Sequence, residues 1–315
     1  EQRLVRDTMR AFAQERLAPN AARWDRDHHF PREELRALGE LGAMGVVVPE
    51  RWGGSGLDYV SLALTLEEIA AGDGATSTIV SVQNSVVCGL IAAFGTDAQR
   101  TRHLAPLARG EKLGCFCLTE PHVGSDAGAI TTRAQRDGDG YVLNGGKHFI
   151  SDGLHSDFFV VSAVTDAAAR PRHVSLFLVD KDLPGVTIGR DQPMMGLTGT
   201  SHVELFFEDV KLGRERLLGG EGRGLAIAYS TLGRVRLAQV GARAIGKASR
   251  LATLMTGYAN ERVQFGKPIG EFQMIQQMIA DSVVEINAAR LMLLRAAWEI
   301  DRGRDARDWI SMVKI

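Results

Sequence analysis

The chain has 315 residues, of which 45% are hydrophobic and 24% charged, and its formal net charge is -1 with a pI of about 6.8. The length allows one large domain or two to three modest ones, and the near-neutral charge offers no basic field for nucleic acid or an anionic membrane. No apolar run is expected to reach the roughly 20 residues that cross a bilayer. The lack of a charged-then-apolar leader favours a cytoplasmic protein, and a mitochondrial-matrix equivalent stays open because the first residue is Glu1.

The cysteines and histidines predict neither disulfides nor a metal site. Cys115 and Cys117 are two residues apart, so in a strand both face the same way, and this spacing suits neither a redox pair nor a zinc knuckle. Together with Cys88 they are expected to be packing residues in a reducing compartment. The eight histidines show no ligand spacing, so no metal is expected.

Residues 1–112 are predicted to form an N-terminal α-helical domain, because apolar side chains recur at helical spacing. Two of its helices are predicted over 59–71 and 76–94, and the second is apolar nearly all round, which is typical of a buried helix. Thr96 and Gln99 form a capping box that opens another helix. The residues predicted to share one side of an earlier helix are Leu35, Leu38 and Leu41.

Residues 113–222 change to an alternating pattern that predicts a middle β domain, a barrel or a sandwich. Gly-containing signals at 137–140 and 144–146 predict two turns. Strands are predicted over 129–135, 141–143, 158–164, 174–179 and 203–207.

Residues 223–315 return to the helical period and predict a C-terminal helical bundle, which makes the fold class α+β. Long helices are predicted over 225–259 and 271–301, and a third from near Asp305 is still running at Ile315, so we expect the bundle to be truncated here. Interior glycine costs about 1 kcal/mol against alanine, so the glycines of the first helix indicate close approach of another helix or a ligand. These glycines are Gly233, Gly241, Gly246 and Gly257.

Five segments in this order resemble the acyl-CoA dehydrogenase family. They are FCLTEPHVGSD (116–126), NGGKHFIS (144–151), FFEDVKL (206–212), LGRVRLA (232–238) and ERVQFGKPIGEFQMIQ (261–276). The resemblance implies FAD flavoproteins that convert an acyl-CoA thioester to a trans-2-enoyl-CoA and pass the electrons to an electron-transfer flavoprotein. It also implies a homodimer or homotetramer in which subunits share the FAD site.

The resemblance assigns flavin binding to two segments of the middle domain, with the ring between this domain and the C-terminal bundle. It implies that Phe149 lies against the ring and that the Ser151 hydroxyl reaches the N5 region. The alternative is that both segments are ordinary strands. The matching residues are Phe116, Leu118, Thr119, Phe149, Ile150 and Ser151.

The resemblance places Ser125 beside the CoA chain and the flavin pyrophosphate, and Gly124 lets the main chain approach closely. The alternative is that Ser125 or Asp126 caps a helix or turn. Glu120 matches a structural position, so we assign it no catalytic role.

Arginines matched by the resemblance point to the phosphate-bearing parts of substrate and cofactor. Arg234 matches a residue at the mouth of the acyl-CoA site, with Arg236 as a rival and a solvated arginine as the alternative. Arg262, Phe265 and Gln273 match residues that reach the flavin of a neighbouring subunit. An ordinary helix-to-helix loop is the alternative for these three.

No catalytic base is predicted within the chain. The family places its glutamate either at the position of Gly233 or in a loop that lies beyond Ile315, where we expect it. Glu221 lies in a Gly-rich loop and is not assigned, and Thr198 stands where relatives frequently carry arginine. An acyl-CoA oxidase, a flavin monooxygenase on the same fold, and a non-catalytic flavin or acyl-CoA binding protein remain as alternative functions.

Overall fold

The computed structural model describes residues 1–169 and 171–315, and the side chains at positions 232, 234–236, 238 and 239 lie outside this description. The described residues form two compact units. We call Glu1–Ala22, Asp58–Ser77 and Arg236–Ile315 the helical unit. We call Arg23–Leu57 and Thr78–Val235 the sheet unit.

Helices occupy both ends of the chain, as predicted. A helical path runs from Gly224 to Glu261, but it contains a π-helical stretch at Leu237–Ala242. Further π-helical stretches are Ala13–Leu17, Val82–Cys88 and Arg100–Leu104. The α-helices are α1 (Gln2–Phe12), α2 (Ala21–Asp27), α3 (Arg32–Glu40), α4 (Tyr59–Gly72), α5 (Gly74–Ser81), α6 (Gly89–Phe94), α7 (Asp97–Gln99), α8 (Ala105–Ala108), α9 (Gly224–Arg236), α10 (Arg243–Glu261), α11 (Gln273–Asp301) and α12 (Arg307–Lys314).

Two details of the N-terminal helices test the sequence patterns directly. The predicted capping box is confirmed, because Thr96 accepts from the Gln99 main chain while the Gln99 side chain accepts from the Thr96 main chain. Leu35 and Leu38 are buried in α3, but Leu41 is 46% exposed. The prediction for Leu41 is wrong because α3 ends at Glu40 and the chain turns away there.

One large sheet fills the middle of the chain and confirms the α+β class. Its strand order is β6-β7-β3-β2-β4-β5-β8, with β1 also paired to β4, and β9 and β10 form a separate hairpin in the helical unit. The strands are β1 (Gly114–Cys117), β2 (Arg133–Asp137), β3 (Gly140–Ser151), β4 (Phe158–Asp166), β5 (His173–Asp180), β6 (Val186–Asp191), β7 (His202–Leu212), β8 (Leu217–Leu218), β9 (Val263–Gln264) and β10 (Lys267–Pro268).

Both faces of the central strands are buried, which explains their nearly continuous apolar sequences. On β4, Phe158 and Val160 join a cluster with residues 82–91, while Phe159 and Val161 join the core formed by the other face of the sheet. Cys115 and Cys117 lie in this second core with their Sγ atoms 3.9 Å apart, so they do face the same way. Burial raises the pKa of the Cys115 thiol well above its usual range, which is consistent with a packing role.

The predicted turn at 144–146 is wrong, because these residues lie inside β3. Two steps along β3, from Leu143 to Gly145, oppose three steps along β7, from Val210 to Phe207, so β7 carries a β-bulge. Asp209 takes the left-handed conformation there and exchanges hydrogen bonds with the Asn144 side chain. The Asn-Gly-Gly sequence therefore accommodates a bulge and not a hairpin.

The helical unit packs most closely where glycine replaces a side chain. A Cβ at Gly246 in α10 would lie 2.1 Å from the main-chain oxygen of Glu67 in α4. A Cβ at Gly241 would lie 2.4 Å from Val313, whereas one at Gly257 would meet nothing within 4 Å among the described residues. The prediction of close approach is therefore correct for Gly241 and Gly246 but wrong for Gly257 and for Gly233, where a Cβ would also meet nothing within 4 Å among the described residues.

The expectation of no membrane-length apolar run is wrong by length and composition. The helical stretch Gly74–Phe94 is 21 residues long and apolar enough to cross a bilayer. However, 78% of its apolar window is buried inside the structure, which is typical of the core helix of a globular protein. This single stretch is weak evidence for a membrane span.

Candidate functional site

The two segments assigned to flavin binding meet where the chain leaves the sheet. β1 pairs with the first half of β4, and β2 pairs with Val164 near its end, so both lie along the same side of β4. Residues 118–132 form a loop out of the sheet between these two pairings. At the start of this loop, the main-chain oxygen of Thr119 accepts a hydrogen bond of 2.9 Å from the main-chain nitrogen of His148 in β3. The structure therefore brings Thr119 next to the segment that contains Phe149 and Ser151.

A buried ion pair joins the same two segments. The Lys147 Nζ donates to Glu120 Oε1 at 2.8 Å, and to the Ser162 hydroxyl at 3.0 Å and the Leu118 oxygen at 3.2 Å. Lys147 is 1% exposed and Glu120 4% exposed. Because a buried charge requires a partner and hydrogen bonds, this arrangement holds the loop after β1 firmly against β3.

The carboxylate of Glu120 is held in its ionised form. Burial alone would raise its pKa, but the Lys147 charge and hydrogen bond, with donors from Thr131 and Thr132, lower the pKa to about 2. All these partners are used within the fold. Glu120 therefore has a structural role, as expected, and does not serve as a proton acceptor.

A second β-bulge displays the aromatic ring of Phe149. Three steps along β3, from Lys147 to Ile150, oppose two steps along β7, from Leu205 to Val203. The extra residue gives Phe149 a φ of 55°, which is unusual for a bulky side chain, and leaves it 53% exposed. Bulges commonly redirect side chains beside functional sites. Here the bulge turns an apolar ring outward next to the polar main chain of Thr119.

The remaining predicted residues of the sheet unit differ in what they can offer a ligand. Phe116 is partly buried against the helix-facing cluster, and Ile150 is 2% exposed, so Ile150 offers only its main chain. Ser151 is partly exposed at the end of β3. Gly124 and Ser125 lie in an exposed turn, where a Cβ at Gly124 would meet no described atom within 4 Å. Asp126 makes no side-chain capping hydrogen bond, so the alternative that Asp126 caps a helix or turn is not supported.

The predicted residues of the helical unit surround the β9–β10 hairpin. Arg262 follows α10 and is exposed, and its guanidinium has no acidic partner among the described residues. Phe265 has a φ of 52° at the hairpin turn and is 94% exposed, and Gln273 opens α11. The side chains of Arg234 and Arg236 lie outside the described residues, so their assignment stays a prediction.

Other candidate groups are accounted for by structural contacts. Glu221 contacts Arg136 in a close ion pair and accepts a hydrogen bond of 3.1 Å from the Tyr141 hydroxyl. Thr198 binds Asp25 through its main-chain nitrogen at 3.0 Å and its hydroxyl at 2.9 Å, which fixes the loop before β7. Among the described residues, no group of three or more His, Cys, Asp or Glu side chains could hold a metal ion.

Sequence reasoning did not assign roles to Lys147, His148 and Glu204. The one available signal was a lysine in the middle of a strand whose alternate positions are apolar, because such a lysine requires a buried partner. The partner, Glu120, lies 27 residues away and could not be identified from spacing.

An exposed aromatic ring beside main-chain groups and small hydroxyls fits a flat heterocycle with one polar edge. The helix–sheet–helix order of the chain is the one that the acyl-CoA dehydrogenase resemblance predicts. Three family models match the chain: acyl-CoA dehydrogenase N-terminal domain over residues 1–111, middle domain over 115–210 and C-terminal domain over 222–315. The chain belongs to the acyl-CoA dehydrogenase family.

Similar proteins agree with this assignment over almost the whole chain. The mitochondrial short-chain specific acyl-CoA dehydrogenase of Rattus norvegicus is 38% identical over 99% of this chain and 76% of its own length. The short-chain specific enzyme of Clostridium acetobutylicum is 39% identical over 95% of this chain and 78% of its own. Among solved structures, butyryl-CoA dehydrogenase from Megasphaera elsdenii has a TM-score of 0.95 at 35% identity, covering 99% of this chain and 82% of that one.

A further solved structure contains a chain similar to this one. It is described as the electron transferring flavoprotein of Acidaminococcus fermentans, and a chain in it matches with a TM-score of 0.96 at 38% identity. The match covers 99% of this chain and 82% of that one. The prediction of an enzyme of the acyl-CoA dehydrogenase family is confirmed.

Proposed function

We propose that this protein is an FAD-dependent acyl-CoA dehydrogenase that converts a short-chain acyl-CoA to the trans-2-enoyl-CoA. The observation that carries the proposal is the junction of Thr119 with the bulge at Phe149, which presents an exposed ring and polar main chain at one place. Membership of the acyl-CoA dehydrogenase family supports flavin-dependent dehydrogenation as the reaction at this junction.

The sheet unit fits the isoalloxazine part of FAD. Thr119 and Ser151 offer hydroxyl and main-chain groups for the polar edge of the ring, and the Phe149 face offers an apolar contact. The open space around Gly124 admits the pyrophosphate close to the main chain beside Ser125. When bound, FAD supplies the acceptor for the hydride that leaves the β-carbon of the substrate. The Glu120–Lys147 pair keeps the two binding segments in register.

The substrate and the electron acceptor are proposed from the names of similar proteins. Two relatives are named for short-chain acyl-CoA and one structure for butyryl-CoA, which supports butyryl-CoA as the first thioester to test. An electron-transfer flavoprotein is the proposed acceptor, supported by the similar chain in the structure from Acidaminococcus fermentans. Arg234 is the proposed contact for the phosphates of CoA.

The group that takes the α-proton is not assigned to residues 1–315. Glu120 is engaged with Lys147, Glu221 is engaged with Arg136, and Gly233 has no side chain. The glutamate expected beyond Ile315 stays a prediction. So does the location in the cytoplasm or the mitochondrial matrix.

A homodimer or homotetramer is proposed from the surface of α10 and α11 in the helical unit. Large apolar side chains are exposed along both helices, and contiguous exposed apolar surface commonly marks a protein interface. Arg262, which has no acidic partner among the described residues, would then serve the FAD pyrophosphate of the neighbouring subunit. The exposed apolar residues are Leu251, Leu254, Tyr258, Met274, Met278, Val284 and Leu291.

Anaerobic titration of the FAD-loaded full-length protein with butyryl-CoA tests the proposed function. We expect bleaching of the flavin absorbance, formation of the 2-enoyl-CoA, and reoxidation by an electron-transfer flavoprotein that is much faster than reoxidation by air. Rapid formation of hydrogen peroxide in air would instead identify an acyl-CoA oxidase. Flavin that binds but is not reduced by any acyl-CoA would favour the non-catalytic alternative.

A further inference from the structure

The conformation of Phe149 needs a local restraint. Its φ of 55° lies in the left-handed region, which bulky residues rarely adopt and which persists only when neighbouring contacts enforce it. The side chain is 53% exposed, so the core of the sheet unit does not fix its rotamer. A neighbouring side chain is therefore needed to orient the ring.

His148 is the neighbour that meets this need. Its ring lies edge-on to Phe149 with centroids 4.0 Å apart and an interplanar angle of 72°. This is the only ring contact of Phe149 among the described residues. Edge-to-face pairs at this separation are favourable, so the orientation of one ring restricts the other.

His148 is held through its main chain, and its ring lies beside Glu204. Its main-chain nitrogen donates to the Thr119 oxygen at 2.9 Å, which fixes the backbone of the bulge. Its Nδ1 atom lies 3.3 Å from the Glu204 Oε1 on β7, without an aligned hydrogen bond among the described residues. The His148 side chain is only 18% exposed, so it cannot swing freely into solvent.

We infer that His148, which lies beside Glu204, is a positioning residue that holds the Phe149 ring ready to contact the bound isoalloxazine. The inference rests on the proposed function, because it gives Phe149 a cofactor to meet. His148 does not touch the cofactor in this arrangement and acts only through Phe149. Its loss should therefore weaken FAD binding only while Phe149 is present.

A double-mutant cycle tests this dependence. The dissociation constant for FAD is measured by flavin fluorescence quenching for wild type, His148→Ala, Phe149→Leu and the double variant. We expect His148→Ala to raise the constant roughly 2- to 12-fold, the range typical of an aromatic pair, but less than about 2-fold in the Phe149→Leu background. The visible circular dichroism of the bound flavin should change in His148→Ala and return towards wild type in His148→Phe, which restores an aromatic ring.

Two further variants separate the positioning role from general loss of structure. Glu204→Ala removes the side chain that lies beside the His148 ring, so we expect a smaller effect in the same direction. Asn144→Ala disturbs the other bulge of the same strand pair and should leave the FAD constant unchanged.

Equal effects of His148→Ala in both backgrounds, or none in either, would overturn the inference. If His148→Ala does not fold, the same cycle with His148→Leu in place of alanine decides the question. Wild-type protein that takes up no FAD would overturn the proposed function itself, and the inference with it.

Discussion

Replacing Lys147 with methionine is expected to destabilise the protein by about 3–5 kcal/mol, the usual consequence of removing one partner of a buried ion pair. The side chains of Lys147 and Glu120 are 0% and 3% exposed, so the variant leaves a carboxylate uncompensated in the interior. The pKa of Glu120 points in the same direction. Its lowering from 4.5 to about 2 corresponds to about 3 kcal/mol of stability at neutral pH, and burial offsets part of this because it also lowers the pKa of Lys147.

Lys211→Met is the matched control for this variant. The Lys211 Nζ also lies 2.8 Å from a carboxylate, Asp137, but those side chains are 70% and 56% exposed. Solvent screens such a pair, so its loss should cost at most about 1 kcal/mol. Urea unfolding at neutral pH, followed by circular dichroism, measures both changes. Equal losses in the free energy of unfolding for the two variants would refute the argument that burial makes the Lys147–Glu120 pair the more stabilising one.

The pH dependence gives a second readout for the same pair. Because folding lowers the pKa of Glu120, its stabilising contribution is complete above about pH 4.5 and is lost as the pH falls towards 2. Wild type should therefore lose stability steeply over this pH range. Lys147→Met should lose less, because it already lacks the stabilising interaction of Glu120 with Lys147. Parallel curves for wild type and variant between pH 5 and 2 would contradict the assignment.

Three other changes have expected outcomes. Gly246→Ala places a Cβ against the main-chain oxygen of Glu67 and should lower stability by about 1–3 kcal/mol in a thermal unfolding assay, and an unchanged midpoint would show that α4 and α10 are not so closely packed. Gly257→Ala, where a Cβ would meet no described atom, should raise stability by up to about 1 kcal/mol. A loss of stability would show that this position is not open. Arg262→Ala should reduce both FAD retention and the mass in solution by light scattering; a fully yellow protein of unchanged mass would remove Arg262 from the shared site.

Local sequence signals predicted much of the secondary structure. The capping box at Thr96 and the hairpin at 137–140 depend on residues within one turn, so their physics is visible in a short window. The long helices of the C-terminal stretch were predicted closely for the same reason. β6 was missed because its apolar alternation is limited to Val186 and Ile188 and its residues are partly or wholly exposed.

The candidate site was less accessible to sequence reasoning than the fold. The resemblance selected Thr119 and Phe149, but nothing local shows that the chain between them returns to place His148 against Thr119. The bulge that exposes Phe149 depends on the register of β3 against β7, which is set by residues more than 50 positions apart. Register of this kind is a property of the assembled sheet.

A crystal structure of the protein with bound FAD would test the central claim most directly. We expect the polar edge of the isoalloxazine within hydrogen-bonding distance of Thr119 and Ser151, with the Phe149 ring against its face. An isoalloxazine bound elsewhere, with Thr119 and Phe149 free of it, would contradict the assignment of this junction as the flavin site.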